Sequence, residues 1–271
     1  MRPIWLLESN VDGLNTAEIQ AEVRRQGMSC HIVKLLTSYA IPKDIAGAES
    51  LRMDECVIFR GSLNLMRHIH ASRRWTPGGW CAVQNLSCST YYAHFGPFLL
   101  NRDYAFLPMA EVIRLADDLF LRYAKEGKLF VRPDTVYKRF PGTLTDRTSF
   151  MSRFHGSEFD PTQLVLVARA KKSSYEWRLI VCNSRVIAGS QYRSPAGRDE
   201  LPHCPDEVIS FAADVLQNVR WRPAPIFVLD VCDSEDGLRV LELNSFGCSG
   251  HYLADVATVV EAASNLAAVT F

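Results

Sequence analysis

A small parallel α/β unit followed by an α+β part rich in antiparallel strands is the fold class that this 271-residue sequence predicts. Three observations carry the expectation. Over roughly the first ninety residues, short apolar runs alternate with amphipathic ones, the rhythm of βαβ units. After one long amphipathic segment, the pattern changes to apolar runs joined by polar turns. A hairpin pattern and a final helix then close the chain.

Taken in order, "PIWLLES" reads as the first strand. "NTAEIQAEVRRQG" reads as a helix, with Asn15 at the cap position, Glu18 three residues on and Gly27 as the stop. "CHIVKLL" and "ECVIFRGS" are further strands, with "CAVQNLS" a candidate fourth. From "STYYAHFGPFLLN" to Pro108 the pattern is irregular and aromatic, and reads as a crossing between domains. "PMAEVIRLADDLFLRYAKEG" predicts one helix, with Val112, Leu115, Leu119, Phe120 and Tyr123 on a single stripe and Gly127 ending it. Strands are expected at "KLFVRPD", "QLVLVARA", "EWRLIVCN" and "RVIAGSQYR", and a helix around "DEVISFAADVLQNV". The hairpin "PIFVLDV…LRVLELN" and the helix "LADVATVVEAASNLAA" complete the chain. The domain division is placed at 1–95 and 96–271.

Composition narrows the function classes. The 30 basic and 30 acidic residues balance, which argues against a nucleic-acid or anionic-membrane surface as the main business. No apolar run is long enough to span a bilayer, and Glu8 interrupts the only N-terminal one, so a soluble cytoplasmic protein is expected. The eight cysteines form no C-x-x-C pair and mostly sit in apolar runs, where they behave as small hydrophobes. P-loop, G-x-G-x-x-G, H-E-x-x-H and G-x-S-x-G motifs are all missing. Cys248 and His251 in "GCSGH" lie close in sequence, but no third group orients them as a catalytic pair. His68 and His70 read as a solvated helix face.

The hairpin is the informative stretch. Asp230, Glu242 and Asn244 interrupt otherwise hydrophobic strands, and in an unbulged hairpin of even register all three share one face. Ile226, Val228 and Val240 lie on that same face, so it is not polar along its length as a solvated face would be. Buried carboxylates are costly without a cation, and two acids with an amide offer oxygen ligands suited to Mg²⁺ shared with phosphates. Upstream, Arg132 ends an apolar strand before Pro133, and Lys138 lies in a loop leading to Gly142. Glu176 and Arg178 share one face of a later strand. Either an ion pair or an arginine held for a site accounts for them.

The order "FVRP…K…G", "EWR…GSQY", "LDV…DG…LELN" resembles the ATP-grasp superfamily, and more narrowly its R2K clade, over about residues 90 to 260. That resemblance implies a pre-ATP-grasp domain at 1–95 and an ATP-grasp domain at 96–271. In the latter, a small nucleotide-covering subdomain would span about 128–170 and a metal-binding subdomain 171–271. It further implies that Asp230, Glu242 and Asn244 bind Mg²⁺, with Mn²⁺ as a substitute. Arg132 and Lys138 would contact the ATP phosphates, Glu176 would join the nucleotide site, and Val167, Ala168, Arg169 and Ala170 would read adenine. Lys171 and Lys172 stand where an acidic ribose ligand is usual. The arginine usual just before the first metal Asp is missing, leaving Arg178 or Arg193 to serve.

The implied chemistry is ligation of a small-molecule or peptide carboxylate to an amine or thiol through an acyl phosphate. A small-molecule kinase and a non-catalytic nucleotide-binding module are the alternatives. Arg60 and Ser62, at a strand end of the first domain, and Ser190 and Tyr192 are the substrate-contact candidates. The sequence leaves the oligomeric state open, a homodimer included.

Overall fold

The fold is described from a computed structural model over residues 2–34, 45, 47–155 and 159–271. Its strands are β1 (Ile4–Glu8), β2 (Cys30–Val33), β3 (Cys56–Arg60), β4 (Thr76–Gly78), β5 (Tyr104–Pro108), β6 (Lys128–Pro133), β7 (Thr143–Asp146), β8 (Leu164–Arg169), β9 (Ser173–Cys182), β10 (Arg185–Ser194), β11 (Gly197–Leu201), β12 (Ile226–Ser234) and β13 (Gly237–Ser245). Its helices are α1 (Thr16–Arg25), α2 (Leu63–Ser72), α3 (Cys88–Phe95), α4 (Met109–Arg114), α5 (Ala116–Tyr123), α6 (Arg147–Phe154), α7 (Asp206–Asn218) and α8 (Val256–Thr270).

Three sheets organise these elements. The first is parallel, in the order β2-β1-β3-β4. Leu6, Val57 and Phe59 pack on one of its faces, while Trp5, Leu7 and Ile58 pack on the other. Both faces of a parallel sheet must be covered, which is why "CVIFR" is apolar almost throughout and buried throughout. The second sheet, β5-β8-β6-β7, is antiparallel. Val165, Val167, Leu129 and Val131 turn to a core with α4, α5 and α6, and the alternate residues Leu166 and Ala168 turn to the main core.

The third sheet, β11-β10-β9-β12-β13, positions the site. On one face, Trp177, Leu179, Val181, Phe227, Leu229 and Val231 meet α7 through Val208, Ala212 and Val215. The opposite face is split along its length. Ile180, Cys182 and Ile226 pack under α8 through Val259, Val260 and Ala263. Beyond the helix, the same face turns polar at Arg178, Asp230 and Glu242. The mixed face seen in the hairpin sequence is thus one end of a core joined to one end of a cleft. Helix α8 also reaches the first sheet, where Trp5 Nε1 donates to Ser264 Oγ at 3.1 Å.

Four local expectations change. "CAVQNLS" is not a strand: Val83–Leu86 is a single 3-10 turn closed by Asn85 N and Leu86 N on Ala82 O, and Thr76–Gly78 pairs with β3 instead. The helix expected across 108–127 is two helices broken at Leu115 (φ −97°, ψ 17°), with no Pro or Gly to mark the break. The aromatic crossing contains α3 and β5. Asn15 is left-handed (φ 55°), and its side chain does not cap α1. The last residues of "CHIVKLL", Leu35 and Leu36, lie outside the described residues.

Candidate functional site

Strand pairing assembles the polar face in rows. Asp230 lies opposite Glu242 on β13 and Arg178 on β9, and Arg178 in turn lies opposite Ser190 on β10. Asn244 lies opposite Val228, two pairs along. The hairpin is bulged, contrary to the unbulged expectation. Val231 pairs with Val240 and Asp230 with Glu242, so Leu241 is the extra residue. Carried through from the turn without the bulge, the register would set Asp230 opposite Leu241 and turn Glu242 away. One inserted residue is what faces the two acids across the ladder.

The acids are met by four side chains. Arg178 grips Asp230 bidentately, Nε to Oδ1 at 2.8 Å and Nη2 to Oδ2 at 2.7 Å. Lys138 Nζ lies 3.1 and 2.8 Å from the two Glu242 oxygens, and Arg132 Nη1 lies 3.1 Å from Oε2. Asn244 Nδ2 bridges the pair, donating to Asp230 Oδ2 at 3.0 Å and Glu242 Oε1 at 2.9 Å. Burial alone pushes both carboxyls up. For Glu242, Lys138 and Arg132 overcome that cost and hold it well below the usual carboxylate range. For Asp230 burial outweighs the guanidinium fork and leaves its carboxyl above the ordinary value, while the same fork lifts Arg178 above the ordinary arginine value despite burial.

Beside this set opens a cleft of about 560 Å³ between the second and third sheets, reached by Glu242 but not lined by Asp230, Asn244 or Arg178. Arg132, Lys138, Glu176, Tyr192, Arg193 and Glu242 line it, all six expected from the sequence. Phe130, Leu144 and Leu241 add apolar walls. Glu176 accepts from Ser173 Oγ at 2.7 Å and stands 3.7 Å from Arg193. Between the two arginines considered for Asp230, the geometry selects Arg178.

Other expected residues lie elsewhere. Val167 and Ala168 are fully buried and laddered to β5 on one side and β6 on the other. Their backbone groups are spent, and neither they nor Arg169 and Ala170 line the cleft. Lys171, Lys172 and Ser173, just past the strand end, do. Ser190 is buried, with its hydroxyl on His251 O at 3.2 Å. Ser62 caps α2, accepting from Leu65 N, while its own N–H donates to Glu8 at 2.6 Å.

Arg60 is 2% exposed and bound to main-chain oxygens rather than open to a substrate. Its Nη1 donates to Phe246 O at 2.6 Å and to His251 Nε2 at 2.7 Å, and Nη2 donates to Ser249 O at 2.7 Å. Burial drops its pKa to about 9 and the neighbouring His251 well below the ordinary histidine range. His251 therefore serves Arg60 as a neutral acceptor and is not paired with Cys248. The Cys248 thiol is pushed up by contact with Cys81 and by burial, so it is no activated nucleophile.

Three contributors escape a reading by sequence pattern. Asn15 Nδ2 donates to Tyr252 O and Asn15 Oδ1 accepts from His251 N, both at 2.9 Å. Gly250 offers its carbonyl to Arg178 Nη1 at 3.1 Å, and a Cβ there would stand 1.8 Å from Gly13 O. The Arg178 guanidinium lies over the Tyr252 ring at 4.9 Å. These contacts join residues more than seventy positions apart, and no local spacing encodes them.

Comparisons with known proteins agree with this geometry. The family model described as "ATP-grasp domain, R2K clade family 3" matches residues 96–263. A search of curated proteins finds no match. Among solved structures, the ATP-grasp ligase PsnB, complexed with a minimal precursor, is similar at 14% identity and TM-score 0.57, over 97% of this chain and 98% of that one. A RimK domain ATP-grasp protein from Sphaerobacter thermophilus is similar at 12% identity and TM-score 0.60, over 97% and 96%. D-alanyl-alanine synthetase A from Vibrio cholerae is similar at 10% identity and TM-score 0.61, over 99% and 98%. At these identities the likeness is one of fold.

Proposed function

The chain belongs to family 3 of the R2K clade of ATP-grasp domains, and from that premise we propose that it is an ATP-dependent ligase, activating a carboxylate as an acyl phosphate and joining it to an amine or thiol. One observation carries the reading. Asn244 bridges Asp230 and Glu242 on one sheet face, and Glu242 opens from that set into a cleft whose walls supply Arg132 and Lys138.

The donor set fits a magnesium ion. Two carboxylates, bridged by an amide whose nitrogen now faces them and whose oxygen would turn toward an ion, give oxygen ligands without histidine or thiolate, and Mg²⁺ commonly takes one or two carboxylates plus substrate phosphates. Among the described residues no group of three or more His, Cys, Asp or Glu side chains gathers, so phosphate oxygens would complete the shell. Lys138 and Arg132 now neutralise Glu242. Asp230, Glu242 and Asn244 would hold Mg²⁺, or Mn²⁺ in its place, whose chemistry is to offset charge spreading over the transferring phosphoryl group.

The chain's own groups do the rest. Phe130, Leu144 and Leu241 give the base an apolar slot, with backbone contacts from Lys171 to Ser173 where β8 has ended. Arg132 and Lys138 bind phosphate oxygens, and Arg178 keeps the Asp230 carboxylate oriented. The substrate carboxylate attacks the terminal phosphorus and the bond to the bridging oxygen breaks, releasing ADP. An amine then attacks the acyl carbon, phosphate leaves, and the amine proton passes to solvent. No protein nucleophile is needed, so positioning and electrostatics account for the rate.

The test is isotopic. The protein is incubated with Mg²⁺-ATP and an amino-acid mixture whose carboxylates carry ¹⁸O, and products are read by mass. Ligation gives a new amide, ADP and phosphate containing one labelled oxygen. ADP formed with the phosphoryl group left on an unligated acceptor would instead identify a kinase.

A further inference from the structure

A second cavity, of about 360 Å³, shares Tyr192 and Arg193 with the nucleotide cleft and is completed by Gly197, Arg198 and Tyr252. Its construction is costly in three ways. Arg193 and Arg198 lie directly opposite each other across the β10–β11 pair, and like charges facing across a ladder are destabilising. Tyr192 is the extra residue where β10 slips register against β9, inserted between Gln191 and Arg193, and at the same place β11 sets two residues, Asp199 and Glu200, opposite Tyr192. Such bulges re-aim a side chain, often beside an active site. Tyr252 holds a left-handed backbone (φ 51°), unfavourable for a bulky residue and maintained here through Asn15.

These devices build one wall. Tyr192 stacks on Tyr252 with ring centroids 4.8 Å apart and planes 13° from parallel. Arg178, already clamped to Asp230, lies against both rings. The wall therefore separates the ion-binding face from the arginine pair. Each cation of the pair has one acid beside it: Glu176 stands 3.7 Å from Arg193, and Glu200 pairs with Arg198 at 2.5 Å. Both arginine side chains remain more than half exposed, and no carboxylate lines the cavity itself. An amine acceptor finds no counter-charge there, whereas an anion between the guanidiniums would relieve their repulsion.

We propose that this cavity holds the second carboxylate of a dicarboxylate substrate. The reacting carboxylate reaches the phosphoryl face past Arg193, and the other rests between Arg193 and Arg198 beside the tyrosine wall. The proposal rests on the ligase reading and adds its substrate class. It assigns Arg198 a part in specificity and none in phosphoryl transfer.

Hydroxylamine tests it, because it intercepts an acyl phosphate as a hydroxamate and releases phosphate. Hydroxamate formation with Mg²⁺-ATP is compared for glutamate, aspartate and N-acetylglutamate against alanine and glutamine. Stabilisation by Mg²⁺ with a non-hydrolysable ATP analogue is measured in parallel. The diacids should react with a KM at least about tenfold lower than the monoacids, the scale of one lost charged contact. Arg198→Ala should erase that preference while leaving nucleotide stabilisation unchanged, and Arg198→Lys should restore part of it. Equal use of mono- and diacids, an Arg198→Ala variant that keeps the preference, or nucleotide stabilisation without any hydroxamate would overturn the dicarboxylate proposal alone. Absence of nucleotide stabilisation would overturn the ligase reading beneath it as well.

Discussion

Asp230 and Asn244 sit in one hydrogen-bonded set but differ in what their removal exposes. Asp230→Ala strips the buried Arg178 guanidinium of the carboxylate it grips, and breaking such a pair costs about 3–5 kcal/mol. Asn244→Ala removes a bridge of hydrogen bonds to carboxylates, worth about 1.5–3 kcal/mol. Denaturant unfolding should rank the two in that order, and a smaller loss for Asp230→Ala would deny the buried pair its structural weight. His251 gives a dependence on acidity. It is buried neutral, with its folded-state pKa far below the ordinary 6.5, so below that pH the unfolded chain binds the extra proton. Stability is full above pH 6.5 and falls as pH drops below it, by up to about 1.4 kcal/mol per unit. The gap in unfolding free energy between wild type and His251→Gln should narrow from pH 7 to pH 5.5. A gap independent of pH would place the titration elsewhere. At this scale the sequence was partly informative about chemistry: strand periodicity put Glu242 and Asn244 on one face, but Asp230 faces Glu242 only through the bulge at Leu241. It misplaced Arg60 because a strand-end arginine looks the same whether it meets a ligand or, as here, the carbonyls of Phe246 and Ser249.

Elements carry the consequences of pairing, and pairing is where the sequence is least explicit. The bulge at Leu241 depends on which residue of β12 faces it, and nothing in "RVLELN" announces it. The expected adenine-reading stretch Val167–Ala170 failed to line the cleft for a related reason, since β8 turned out to be an inner strand flanked by β5 and β6. Neither of that sheet's edge strands, β5 and β7, was foreseen. The loop after β13 is the element on which the site leans most. Arg60 binds it from one side, Arg178 from the other, and Gly13 touches Gly250 closely. Gly250→Ala must push the loop off Gly13, at an overpacking cost of about 1–3 kcal/mol. Thermal unfolding should show that loss together with weaker Mg²⁺-dependent nucleotide binding. Loss of stability with nucleotide binding intact would free the loop from any part in the site.

The whole molecule places a cleft between two antiparallel sheets and ties the parallel sheet to the one that carries Asp230, Glu242 and Asn244 through α8 and Asn15. The class of fold was visible in the alternation of apolar runs, but these ties join distant segments and could come only from the folded chain. No helix among the described residues is long and apolar enough to cross a membrane. The central claim, that the polar end of the third sheet is a Mg²⁺-nucleotide site, is tested most directly by titrating a non-hydrolysable ATP analogue into the protein with and without Mg²⁺, for wild type and Glu242→Gln. At about one hundred times its Kd the analogue should stabilise the wild type by about 2.7 kcal/mol. Most of that should vanish without Mg²⁺ or in the variant, whose own fold persists. Equal stabilisation in all four conditions, or none in any, would contradict the assignment of Asp230, Glu242 and Asn244 as the ion's ligands.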